Sequence, residues 1–139
     1  MDTLSWPAAA TRFLALRLPE GAPLRESLQE AFDAQPEEGG FLAAAVGSLV
    51  HARLRPAGLT EPRDIIGDLE IMTLSGTFSA DGPHLHLAVA NADGRMTGGH
   101  LLDGSVVRTT AEVVIALAGG VRFTRPEDPG TGLRELAFE

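Results

Sequence analysis

Apolar and polar positions alternate with a period of two over most of this chain, and the spacing becomes helical once. Arg12-Phe13-Leu14-Ala15-Leu16-Arg17-Leu18 predicts a strand with Leu14, Leu16 and Leu18 on one face, ended by Pro19-Glu20-Gly21. Pro23 then opens a helix through about Gln35, with Leu24, Leu28 and Phe32 four apart on one stripe and Glu26, Gln29, Glu30 and Asp33 largely off it. From Phe41 onward the pattern is strand and turn. Phe41–Val46 and Ser48–Arg55 read as two strands broken at Gly47, although the alanine-rich part suits a helix equally; 56–68, with two prolines, reads as a loop. Leu69–Phe78 is a long strand in which Glu70, Met72 and Leu74 oppose Leu69, Ile71 and Thr73, so neither face is cleanly polar. A histidine strand follows Asp81-Gly82, Met96–Leu102 returns, Thr109–Ala118 is rich in valine and isoleucine, and short strands lie near 122–124 and 135–138. One helix against a large, mostly antiparallel sheet is an α+β domain, set here as residues 12–139 after an N-terminal extension 1–11.

The histidines sharpen this picture. His84 and His86 stand at i and i+2, so their side chains leave the same face of a strand. Asn91-Ala92-Asp93-Gly94 suits a three-residue loop, a type I turn followed by a left-handed glycine, and closing it over 92–94 pairs Asn91 with Arg95. Counting back sets His86 across from His100, with all three histidines on one face. A two-residue loop at Asp93-Gly94 would instead pair His86 with Leu101 and turn His100 away, because one residue of slip flips the face. Three imidazoles with an open position form a common zinc-type catalytic site, so His84, His86 and His100 are the candidate ligands of a divalent metal, zinc first. The competing reading is a polar cross-strand cluster. His51, alone in Val50-His51-Ala52-Arg53, reads as structural or exposed.

Composition narrows the partners. With no cysteine there is no disulfide framework, thiolate metal site or cysteine nucleophile. All 11 basic residues are arginine, and the formal charge is −8. A chain so acidic repels nucleic acid on average, which counts against direct DNA binding. Met1-Asp2-Thr3-Leu4 lacks the basic start of a signal peptide and no apolar run approaches a membrane span, so the expected location is cytoplasmic, without a membrane partner. Several strands are apolar on both faces, more than one helix can cover, which predicts self-association.

Gly67-Asp68-Leu69-Glu70-Ile71-Met72, Pro83-His84-Leu85-His86-Leu87, Asp93-Gly94-Arg95, Gly98-Gly99-His100-Leu101-Leu102 and Asp128-Pro129-Gly130-Thr131-Gly132-Leu133-Arg134-Glu135-Leu136 together resemble the PPC ("plants and prokaryotes conserved") domain in its stand-alone prokaryotic form. The resemblance implies a sheet-rich α+β subunit assembling as a homotrimer. Plant members carry AT-hook arms and act on DNA; here there is no Arg-Gly-Arg-Pro arm. More distantly, His-x-His with a later histidine resembles the metal triad of acetolactate decarboxylase, which points toward metal-assisted chemistry on a small molecule.

Two functional classes stay open on these residues, beside a purely structural trimer whose histidines are vestigial. One is a metal-binding homotrimer with a small-molecule ligand and metal-assisted chemistry, in which Glu112 is the nominated general base or fourth ligand and Arg53 or Arg108 would hold an anion. The ordinary reading of Glu112 is a strand residue paired with an arginine. The other class is a DNA-binding or regulatory interaction module, with the 128–132 loop as a contact surface.

Overall fold

A computed structural model describes residues 1–139. A short 3₁₀ turn, Ala8–Ala10, leads into strand β1 (Thr11–Pro19), helix α1 (Leu24–Asp33), β2 (Gly40–Arg55), β3 (Arg63–Phe78), β4 (His84–Ala90), β5 (Met96–Leu101) and β6 (Val106–Ala118). Two-residue strands β7 (Phe123–Thr124) and β8 (Ala137–Phe138) pair with each other near the C-terminus. The main sheet runs β1-β6-β2-β3-β4-β5, and the ladders between its strands are all antiparallel. No helix is long and apolar enough to cross a membrane.

The helix forms where the four-residue stripe predicts it. Leu24, Leu28 and Phe32 are 0 %, 0 % and 2 % exposed, and Phe32 stacks on Phe78 of β3 at 5.3 Å between ring centroids. These side chains meet Leu49, Leu54, Leu85, Leu87, Leu101, Val113 and Ile115 in one core cluster on a single face of the sheet. Each large side chain withdrawn from water there contributes roughly 1.5–3 kcal/mol. Leu14, Leu16 and Leu18 line the same face from β1, as their alternation requires.

Several strand boundaries differ from the sequence expectation. The two segments on either side of Gly47 are one 16-residue strand, β2, whose register shifts near Gly47 and again near Val50 without breaking it. Its alanine-rich start is extended, not helical: Ala44 and Ala45 pair with Val114 and Val113 of β6, and Gly40 and Phe41 just before them pair with both β6 and β3. The loop assigned to 56–68 is shorter: β3 begins at Arg63, opposite Leu54. A register shift between Ile71 and Thr73 also resolves the mixed faces of β3. Leu69 and Ile71 point inward, Met72 and Thr73 both lie outside, and Leu74 is again buried, so one extra residue restores the alternation.

The sheet curls until its last strand meets its middle. Beyond the β6 ladder, the end of β2 pairs with β5, Leu54 with Leu101 and Arg55 with His100. This short seam closes β2, β3, β4 and β5 on one another. The outer face retains large apolar groups, including Phe13 at 66 %, Val46 at 57 % and Met72 at 54 % exposure. Residues ahead of β1 are also packed: the Trp6 ring meets Phe123 edge-on at 6.0 Å and its Nε1 donates to Thr11 Oγ1.

Candidate metal centre

The β4–β5 hairpin adopts the three-residue loop. Asn91 N donates to Arg95 O at 3.0 Å, and Gly94 N donates to Asn91 O at 2.9 Å. The Asn91 side-chain oxygen accepts from the amides of Asp93 and Arg95, and Gly94 takes a φ of 75°, a conformation glycine adopts without penalty. The ladder then runs Ala90–Met96, Val89–Thr97, Ala88–Gly98, Leu87–Gly99 and His86–His100. Leu85, Leu87 and Val89 fill the core, so His84, His86 and His100 project from the opposite face.

The three imidazoles converge. Ring centroids lie 5.2 Å apart for His84 and His86, 5.1 Å for His84 and His100, and 5.8 Å for His86 and His100. One nitrogen from each ring falls within 4.8 Å of the others. None of the three rings makes a hydrogen bond to another protein group, whereas His51 Nε2 is bonded to Asp64 Oδ1 at 2.7 Å. Burial pushes the His100 imidazole down to about 4, helped by the nearby charges of Arg55 and the other histidines. His84 is lowered for the same first reason, then by Arg125 and His86, with Glu135 opposing. Neutral imidazole is the form that ligates a metal. Nitrogen ligands about a tetrahedral zinc sit roughly 3.4 Å apart, so this donor set fits such an ion after the rings draw in by about an ångström.

Glycines hold this geometry by letting backbones touch. A Cβ on Gly76 of β3 would collide with the His84 carbonyl, and its φ of 137° also disfavours a side chain. A Cβ on Gly99 would lie 2.7 Å from the Arg55 carbonyl oxygen. The Gly98-Gly99 pair therefore serves the close approach of β5 to its neighbours.

Other nominated residues stand elsewhere. Glu112 is exposed on β6, across from Arg17 of β1 and Val46 of β2. It shares the outer face with the histidines, but β2 and β3 lie between β6 and β4. Glu112 pairs beside Val46 of β2 and His100 beside Arg55, nine residues further along the same strand, so at about 3.3 Å per residue the separation is on the order of 20–30 Å, outside the histidine cluster. Arg53 faces Asp64 at 3.5 Å and Arg108 faces Asp68 at 3.0 Å, so both nominated anion holders already have carboxylate partners. Three residues that sequence reasoning passed over line the clefts beside the histidines instead: Arg55, Arg125 and Glu135. Arg55 arrives through the β2–β5 seam; Arg125 and Glu135 come from the segment joining β7 to β8.

Comparison with known proteins places the fold. A family model for the Plants and Prokaryotes Conserved (PCC) domain matches residues 7–118. The chain belongs to this family. A Salmonella enterica protein of solved structure superposes with a TM-score of 0.90 at 36 % identity, over 93 % of this chain and 94 % of that one. A metal-containing protein of Archaeoglobus fulgidus gives 0.83 at 24 % identity over 99 % of both chains, and a plant- and prokaryote-conserved protein of Pyrococcus horikoshii gives 0.77 at 22 % over 91 % of both. At these last two identities the likeness shows the fold alone. Two Synechococcus proteins described as bifunctional protein GlmU are 47 % and 44 % identical over 133 residues, 96 % of this chain. The chain spans 21 % of the length of each of these curated relatives.

Proposed function

We propose that this PCC-domain chain is a metal-binding homotrimer in which His84, His86 and His100 hold a divalent ion of the zinc type, next to a cleft for a small molecule. The observation that carries the reading is the convergence of three imidazoles that no other protein group engages. A polar cross-strand cluster would instead spend those nitrogens on hydrogen bonds, as His51 does on Asp64. The metal content of the Archaeoglobus relative is in keeping with it.

When bound, such an ion polarises a carbonyl or activates a water near neutral pH. The chain's own residues supply the rest. Burial keeps His84 and His100 neutral, and the curled hairpin presents their free side to a cleft of about 380 Å³ that all three histidines line with Arg55. Glu135, in a cleft with His84 and His86, is the carboxylate placed to move a proton. The base role first given to Glu112 requires it to come from a neighbouring subunit. The homotrimer rests on the apolar outer face at Phe13, Val46 and Met72, which one chain leaves wet.

The test is metal content per subunit by mass spectrometry on untagged protein purified without chelator. Near-stoichiometric zinc or another transition metal, lost in His100→Ala, supports the site. A metal-free parent that also resists reconstitution refutes it.

A further inference from the structure

Four of the chain's 11 arginines, Arg25, Arg55, Arg125 and Arg134, line one cleft of about 400 Å³ together with His84 and His100. Two carboxylates, Asp81 and Glu135, share that lining, so the cleft is locally positive within a chain of formal charge −8. Most of this positive charge is already engaged. Arg25 Nη1 meets Asp103 Oδ1 at 2.6 Å. Arg134 faces Asp81 at 3.6 Å and donates from Nε to the Arg125 carbonyl at 2.8 Å. Arg125 donates one Nη2 bond to the Arg134 carbonyl, and burial together with the Arg134 charge lowers its pKa against the pull of Glu135 and Asp81.

Arg55 is different. Its guanidinium makes no hydrogen bond or ion pair within the chain, and the residue stands directly across the seam from His100. Side chains at directly paired positions on one face lie about 5 Å apart at Cβ, so its guanidinium is within reach of any molecule touching His100. Arg55 lines both this cleft and the one that carries all three histidines. A planar fork with no internal partner, beside ligand-type imidazoles, matches a carboxylate or phosphate oxygen pair.

We infer that the cleft takes a small organic anion, its carboxylate or phosphate group held by Arg55 and flanked by Arg125, with the remainder of the molecule directed at the histidine triad. This rests on the metal reading above for what lies at the far end, and on Arg55 alone for the anion. Glu135 and Asp81 in the same lining oppose a high negative charge, so a mono- or dianion is accommodated and a polyphosphate is not. A volume of about 400 Å³ suits a molecule of metabolite size.

The experiment titrates pyruvate and inorganic phosphate separately into the protein, read by calorimetry, with metal content measured on the same samples. Both titrations are repeated after chelation and on Arg55→Ala and Arg53→Ala. The parent should bind at least one probe saturably, and Arg55→Ala should weaken that probe about tenfold or more, the loss expected for a charge-assisted bond. Metal content in Arg55→Ala should equal the parent's, and Arg53→Ala, whose guanidinium faces Asp64, should bind like the parent. Binding of pyruvate alone marks a carboxylate site and of phosphate alone a phosphate site. Failure of both probes on the parent, or equal affinity in Arg55→Ala, overturns the inference. An Arg55-dependent affinity that survives in metal-free protein supports the anion subsite even if the metal reading fails, and full metal content with no anion binding refutes the subsite alone.

Discussion

Replacing Gly76 with alanine tests whether the close approach of β3 to β4 sets the position of His84. The added Cβ would collide with the His84 carbonyl and lie 3.0 Å from the Leu85 Cα, so backbone rather than a flexible side chain must yield. Overpacking of this kind costs about 1–3 kcal/mol. The φ of 137° adds strain of about 1–2 kcal/mol for any residue with a Cβ, for a total of about 2–5 kcal/mol. A chain of 139 residues unfolds with an entropy of about 0.3 kcal/mol/K, so the Tm should fall by about 7–17 °C. Gly94→Ala is the matched control: its φ of 75° carries strain, but nothing lies within 4 Å of the new Cβ. It should cost about 1 kcal/mol and about 3 °C. Both variants are melted at one protein concentration, because the proposed self-association would make Tm concentration-dependent, and their metal content is measured alongside. Gly76→Ala should lose metal as well as stability, while Gly94→Ala keeps its metal. A Gly76→Ala protein that melts within 2–3 °C of the parent would refute the claim that backbone contact holds this strand.

His86→Ala should abolish metal retention and leave the oligomer intact by light scattering; a variant with full metal content removes the triad. In metal-free protein, His100 is held down to about 4 and His84 is lowered, so between about pH 6.5 and 4 the unfolded chain binds protons that the folded one refuses. The resulting stability is complete above about pH 6.5 and lost as pH falls toward 4, and His100→Gln should flatten part of that slope in a Tm-against-pH series; identical slopes would contradict it. Phe13→Glu, placing a charge on the exposed apolar face, should shift the species seen by light scattering toward monomer, and an unchanged mass would move the interface elsewhere. A direct DNA-binding role would require a duplex shift that weakens steeply with salt; at a formal charge of −8, none is expected near physiological ionic strength.

The legible parts of this chain were the local ones. The helix stripe Leu24, Leu28 and Phe32 and the loop chemistry of Asn91 to Gly94 are short-range instructions, and the second of these fixes the His86–His100 pair. The β2–β5 seam has no local signal. Arg55 and His100 are joined only once the sheet curls, so Arg53, two residues away and on an ion pair, was as good a nominee from sequence. Glu112 drew notice as a charge within an apolar strand, yet its register pairs it with Arg17. Glu135 was hidden in a segment rich in proline and glycine that carries no periodicity. The start of β3 was obscured by Pro62 and Gly67, and the mixed faces of Leu69 to Leu74 were the trace of a register shift that a strict period of two cannot represent.

The histidine hairpin also has a consequence for the order of assembly. His84 and His100 are joined by a short stretch of chain that folds back on one tight loop, and such closures form quickly and at small entropic cost. Arg55 meets His100 only after the chain has passed through β3 and β4, a contact of much greater sequence separation. The histidine trio can thus gather while the rest of the sheet is still being laid down, whereas the pocket that would read an anion exists only after the final closure. An ion captured early would serve as a template on a nascent hairpin, and recognition of a small molecule would be the last property the folding chain acquires.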